Sequence, residues 1–179
     1  MKYSVEVLTA SSQAWIDAVM ADFPSFLQDH ADCERKASAM AMSLIAKYPD
    51  RDFIIPDMID TALEELEHFQ QVYSVMQEKG VPLPDRMEPD LYIHQLMEEA
   101  KGGSYESRFL IRLLLGSVIE CRGCERFKLV ADNLEDPVLK KFYKELWISE
   151  AKHGNIYVKL ALHSFDEDLV YSKLEELHL

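Results

Sequence analysis

VLKKFYKELWISEAKHGNIYVKLAL, residues 138–162, decides the fold of this 179-residue chain. Its apolar residues recur at threes and fours, the period of an amphipathic helix. Glu150 and His153 stand three positions apart and therefore share one helical face. Leu146, Tyr157 and Leu160 lie along the same face. A lone Glu-x-x-His is more often a solvated helix face, so what this pair does depends on what the other helices set opposite it.

The rest of the chain is read outward from this helix. Asp136-Pro137 supplies a cap and a first-turn proline, so the helix spans about 137–163. A helix over about 105–132 precedes it, with Phe109, Leu113, Gly116, Ser117, Phe127 and Val130 in line. Further upstream, Pro24 opens a helix over about 25–47, with Leu27, Ala37, Met40, Ala41 and Leu44 in line. It stops near Tyr48, before Pro49-Asp50. Pro56 opens another over about 56–79, closed by Gly80. Its stripe is Met58, Thr61, Ala62, Phe69, Val72 and Val75. Ser11 or Ser12 caps a short helix over about 12–21, and Asp166 caps a last one to about 177. The stretch GVPLPDRMEPDLYIHQLMEEAKGGS carries one short helix over about 90–100 and is too long for a hairpin turn. Two long hairpins joined by one long crossover give an all-α, ferritin-like four-helix bundle with short extra helices. It is expected to form a single domain over residues 1–179.

Composition agrees with a compact helical protein: 48% of residues are hydrophobic, and only 6 Gly and 7 Pro interrupt them. No run of about 18 apolar residues suggests a transmembrane helix. The N-terminal stretch has no apolar signal core. The three cysteines, Cys33, Cys121 and Cys124, cannot all pair, and a reducing cytoplasm is the expected location. A net charge of −13 argues against a broad basic face for nucleic acid, so any such contact needs a local patch.

Polar residues interrupt the core stripes at matching heights. The first hairpin has Glu34 on one helix, and Glu65 and His68 on the other. The second has Glu120 on one helix, and Glu150 and His153 on the other. Glu34 and Glu65 are equidistant from the loop at 48–52, as Glu120 and Glu150 are from the loop at 133–136. Each hairpin thus sets a carboxylate opposite a Glu-x-x-His pair. Four ionised carboxylates cannot be buried together unaided, and two divalent ions offset that charge. Carboxylates with two histidines suit iron or manganese, and this arrangement is the di-iron carboxylate pattern.

Glu125 competes with Glu120, because CERF at 124–127 echoes CERK at 33–36. Five residues turn a helix by about 140°, so the two acids do not share a face; the hairpin height favours Glu120. A third Glu-x-x-His, Glu175 to His178, has no long helix around it and is set aside. Cys121 and Cys124 read as small buried side chains, and Met40, Met42 and Met76 as core. His30, His94 and His163 read as surface or hydrogen-bonded residues.

DCERKASAMAMSLIAKYPD, ALEELEHFQQVYSVMQEKG, IECRGCERFKLVADNL and FYKELWISEAKHGNIYVKLA together resemble the MiaE family of tRNA 2-methylthio-N6-isopentenyladenosine hydroxylases. The resemblance runs from about residue 10 to the C-terminal region. It implies a ferritin-like fold with two iron ions, and O2-dependent hydroxylation of the isopentenyl group beside the tRNA anticodon. The implied metal ligands are Glu34, Glu65, His68, Glu120, Glu150 and His153. It also implies a separate electron-donor protein. Candidate phosphate contacts are Lys47, Arg51, Arg86, Lys101, Lys140, Lys141 and Lys144. Rival readings are an iron-handling or peroxide-reducing protein of ferritin or rubrerythrin type, and a helical interaction module whose acids face water.

Overall fold

The computed structural model describes residues 3, 4, 7–86, 98 and 102–177. The short helix expected over about 90–100 falls almost wholly outside them, as do His94, Lys101 and His178. The described residues form α1 (Gln13–Ala21), α2 (Phe23–Lys47), a 3-10 turn (Asp52–Ile54), α3 (Ile55–Glu78), α4 (Tyr105–Asn133), α5 (Pro137–Ser164) and α6 (Glu167–Leu177). No strand occurs among them. They divide into two compact units, residues 17–89 and residues 1–16 with 90–179.

In the first unit, α2 begins two residues before the sequence estimate, at Phe23, because the Asp22 side chain accepts from the Ser25 N–H and caps the helix there. α2 and α3 run antiparallel. Gln28 Nε2 donates to the Pro82 carbonyl at 2.7 Å, and Ser38 Oγ to the Ala62 carbonyl at 2.8 Å, so position falls on one helix as it rises on the other. α3 ends in two backbone bonds, Val81 N–H to Met76 O and Gly80 N–H to Gln77 O. They require Gly80 to turn left-handed, φ 68°, where a Cβ is strained. Leu27, Ala41, Leu44, Met58, Thr61, Ala62 and Val72 of the stripes are buried, as is Met76, read as core; Ala37, Met40, Phe69 and Val75 are half-buried. Met42, read as core, is 49% exposed, since it sits two positions from the stripe residue Met40.

In the second unit, α4 is capped by Ser104 and α5 by Asp136, whose carboxylate accepts from the Val138 and Leu139 N–H groups. These helices approach closely where small residues stand. Ser117 Oγ donates to the Gly154 carbonyl at 2.9 Å. A Cβ on Gly116 would lie 2.7 Å from the Tyr157 ring, so only glycine fits at that crossing. Phe127 packs on Tyr143, and Phe109 on Phe165, the residue that follows α5.

The N-terminal segment is strapped to the same unit through polar bonds rather than a helix. The Tyr3 and Ser4 N–H groups both donate to Asn155 Oδ1, at 2.6 and 3.0 Å. Asn155 is aimed by its own amide, which donates to the Ala151 carbonyl. Ser11 donates to Glu125 through its N–H at 2.7 Å and its hydroxyl at 2.8 Å. Arg122 donates to the Thr9 carbonyl, and the Arg126 guanidinium lies over the Trp15 ring.

Candidate metal centre

Each hairpin carries a buried triad of two carboxylates and one imidazole. In the α2–α3 hairpin, Glu34, Glu65 and His68 each present a donor atom within 4.8 Å of the others. In the α4–α5 hairpin, Glu120, Glu150 and His153 do the same within 4.8 Å. The local cause is helical spacing: Glu-x-x-His puts acid and imidazole on one face, and the hairpin brings the third residue to their height. None of the six is more than 8% exposed. The helices that carry them present each acid among apolar neighbours, such as Leu146 and Tyr157 beside Glu150 and His153.

The first triad is held together by its own charges. His68 Nδ1 lies 3.3 Å from Glu65 Oε2 and 3.8 Å from Glu34 Oε2. Burial pushes the His68 imidazole down, but its contacts with Glu34 and Glu65, and their negative charges, outweigh this and raise it to about 10. Burial likewise pushes the Glu34 carboxyl up, and the histidine contacts from His30 and His68 outweigh it, holding it well below the usual carboxylate range. A proton on His68 thus sits where a cation is favoured.

In the second triad, Gly123 stands 3.8 Å from the Glu150 carboxylate, measured from the position of an added Cβ. Among the described residues, one oxygen each of Glu65, Glu120 and Glu150, and Nδ1 of His153, is buried without a hydrogen bond, although these side chains interact elsewhere. Two carboxylates and an imidazole per triad form a donor set suited to iron or manganese, and buried acids of this number fit a cation better than an apolar core.

All six residues named from the sequence lie in these triads. Glu125 does not: it is half-buried, bonded to Ser11 and ion-paired with Arg122 at 3.3 Å. Of the two, it is Glu120 whose carboxylate lies with Glu150 and His153. Cys121 and Cys124 are half-buried rather than buried, and Cys33 is exposed. His30, read as a surface or hydrogen-bonded residue, is buried and bonded to Glu34 at 2.6 Å. Its spacing of four from Glu34 was the available signal. Of the basic candidates, Lys141 and Lys144 are exposed near the start of α5, Lys140 is half-buried, and Lys141 lies 3.6 Å from Glu145.

The helices and triads define an all-α, ferritin-like protein with a candidate carboxylate–histidine metal centre. A solved structure, protein 43 with aldehyde deformylating oxygenase activity from Synechococcus, superposes with a TM-score of 0.91 at 31% identity, covering 97% of this chain and 86% of that one. The family model described as tRNA-(MS[2]IO[6]A)-hydroxylase (MiaE) matches residues 2–179, and the chain belongs to that family. A tRNA 2-(methylsulfanyl)-N(6)-isopentenyladenosine(37) hydroxylase of Pseudomonas putida is 37% identical, over 92% of this chain and 78% of its own length. The Salmonella typhimurium protein of the same name is 29% identical, over 88% of this chain and 75% of its own.

Proposed function

We propose that this protein is an O2-dependent hydroxylase of the isopentenyl group on the modified adenosine beside the tRNA anticodon. Identity of 37% to a hydroxylase of that substrate, along 92% of the chain, carries this reading. The two triads supply its chemistry. Glu34, Glu65 and His68 in one hairpin, and Glu120, Glu150 and His153 in the other, would hold the iron, which when bound would supply O2 activation for attack on an unreactive C–H bond. The side chains set the charge of the site, orient the ions and keep bulk water away, since all six are buried. Placing one oxygen atom of O2 in a C–H bond and the other in water consumes two electrons and two protons. The reading therefore includes a separate electron-donor protein and a cytoplasmic, single-domain enzyme. With a net charge of −13, phosphate contact is local, and Lys140, Lys141 and Lys144 at the start of α5 are its best candidates.

The test is expression in a bacterial host that makes the isopentenylated, methylthiolated nucleoside but lacks its hydroxylase. Nucleosides from total tRNA are then separated and weighed. The expected product is one oxygen atom heavier than its precursor, and it is absent with Glu65→Ala. A folded, iron-loaded protein that leaves the nucleoside unchanged would turn the reading toward iron or peroxide handling.

A further inference from the structure

α3 carries a second apolar stripe outside the core. Ile59, Leu63, Leu66, Gln70 and Tyr73 follow one another at steps of four and three, the heptad spacing of a coiled-coil seam. Ile59, Leu63 and Leu66 are 42%, 56% and 52% exposed, and Tyr73 is exposed beside them. None of the five belongs to the buried stripe that holds Met58, Glu65, Val72 and Met76. At 100° per residue the two stripes lie about 130° apart. A contiguous apolar strip left in water on a helix already packed through another face marks a contact surface.

The two edges of the seam differ in charge. Ala62 and Phe69 form the edge toward α2, where the Ala62 carbonyl accepts from Ser38 of α2. Asp60, Glu64 and Glu67 fall on the opposite edge, away from α2. Across the first edge, α2 presents a surface of the other sign. From Arg35 to Lys47 it holds three cations and no acid. Arg35 and Met42, seven positions apart on one face, are both exposed. Arg35 and Lys36 share one buried acid, Asp32, so their net charge stays positive. Height follows from the Ser38–Ala62 bond. Three residues back along α2 and three on along α3, Arg35 stands level with Glu65, between Glu64 and Glu67.

We propose that this face binds a second copy of the chain, α3 lying parallel to α3 about a twofold axis that runs along the helices. Such an axis keeps height and exchanges the edges. Each acidic edge then meets the partner's α2, with Glu64 and Glu67 opposite Arg35 and Lys36. Gln70 meets its own copy, and a lone polar position in a seam fixes the register. An antiparallel pair would instead set acidic edge against acidic edge, which like charge opposes. The same acids disfavour a phosphate backbone on this face. With 24 residues in α3, the hairpin face is about 36 Å long and, at two helices, about 20 Å wide. That footprint approaches the roughly 800 Å2 per partner of a stable interface. The contact is isologous, so it closes at two copies.

The experiment is sedimentation equilibrium of the full chain at about 10–100 µM, a range in which an interface of this size associates. A mass twice 20.7 kDa is expected. Leu63→Glu with Leu66→Glu should give a monomer; both positions are exposed, and thermal unfolding followed by circular dichroism checks that the fold is kept. Glu67→Lys should raise the dimer Kd about tenfold or more at low salt, and less at high salt. The arrangement is read by cross-linking in a Cys33→Ser background, since Cys33 is exposed. Gln70→Cys should join two copies on mild oxidation, whereas Gln71→Cys, about 100° round the helix, should not. A wild-type chain that stays monomeric at about 100 µM overturns the proposal and leaves the face to a different partner. A dimer that survives in the folded Leu63→Glu, Leu66→Glu chain overturns it too, as does a dimer that Gln70→Cys fails to cross-link.

Discussion

On the proposed metal reading, an ion entering the first triad competes with a proton. His68 is raised to about 10, because the pull of Glu34 and Glu65 exceeds the opposing effect of burial. At neutral pH its imidazole is therefore charged, and a metal ion must displace that proton to reach the ring nitrogen. Glu34 is already ionised and adds no proton to the exchange. The apparent affinity of this site then rises about tenfold per pH unit below about pH 10, or about 100-fold from about pH 6.5 to about pH 8.5. A histidine at the ordinary value of about 6.5 would instead level off above about pH 7.5. Anaerobic Mn2+ titrations across that range measure the slope. Calorimetry in two buffers of different ionisation enthalpy counts the protons directly, and His68→Ala should release about one fewer. An affinity that is flat above about pH 7.5, or an unchanged proton count in His68→Ala, would refute the reasoning. The metal-free protein shows the same linkage in its stability. Stabilisation from the raised His68 is fully present below its unfolded value of 6.5 and is lost as pH rises through about 10. That from Glu34, held low, is present above its unfolded value of 4.5 and is lost on acidification.

Three further outcomes concern the scaffold. Gly116→Ala places a methyl group 2.7 Å from the buried Tyr157 ring. Its overpacking cost of about 1–3 kcal/mol exceeds the roughly 1 kcal/mol that alanine gains in a helix, so urea denaturation should show a net loss. In a Tyr157→Leu background the same change should become neutral or stabilising, and an identical effect in both backgrounds would contradict the packing. Asp136→Ala removes the acceptor for the Val138 and Leu139 N–H groups and should cost about 0.5–2 kcal/mol in the same assay. Asn155→Ala releases the bonds from Tyr3 and Ser4. Hydrogen exchange should then rise in the N-terminal segment while α4 and α5 keep their protection; unchanged exchange at Tyr3 and Ser4 would show that the strap is held by other contacts.

The helices were legible because they are punctuated chemically. Pro24, Pro56, Pro137 and Gly80 stand at or near helix ends, and the apolar stripes between them keep one period. The triads were legible because hairpin height is arithmetic: a residue and its partner lie equally far from the turn. What failed has physical causes too. Met42 looked like core because methionine is apolar, yet its angle on α2 turns it to solvent. His30 was read as surface or hydrogen-bonded, and it is hydrogen-bonded; a single histidine carries no pattern to show that it is buried, although its spacing from Glu34 encoded the bond. The strap over α4 and α5 has no periodicity at all. Its bonds join residues more than 100 positions apart, such as Ser11 with Glu125, and composition does not announce such pairs.

That strap has a consequence for how the chain is made. The unit holding Glu34, Glu65 and His68 is one uninterrupted stretch of sequence, residues 17–89. Its contacts are between neighbours along the chain, so it can be complete while the ribosome is still at work. The other unit joins residues 1–16 to residues 90–179, on either side of that stretch. Tyr3 and Ser4 must wait until Asn155 has been synthesised, 152 and 151 residues later. Synthesis order thus delivers one triad before the other, and a chain stalled between the two units carries the first triad without the second.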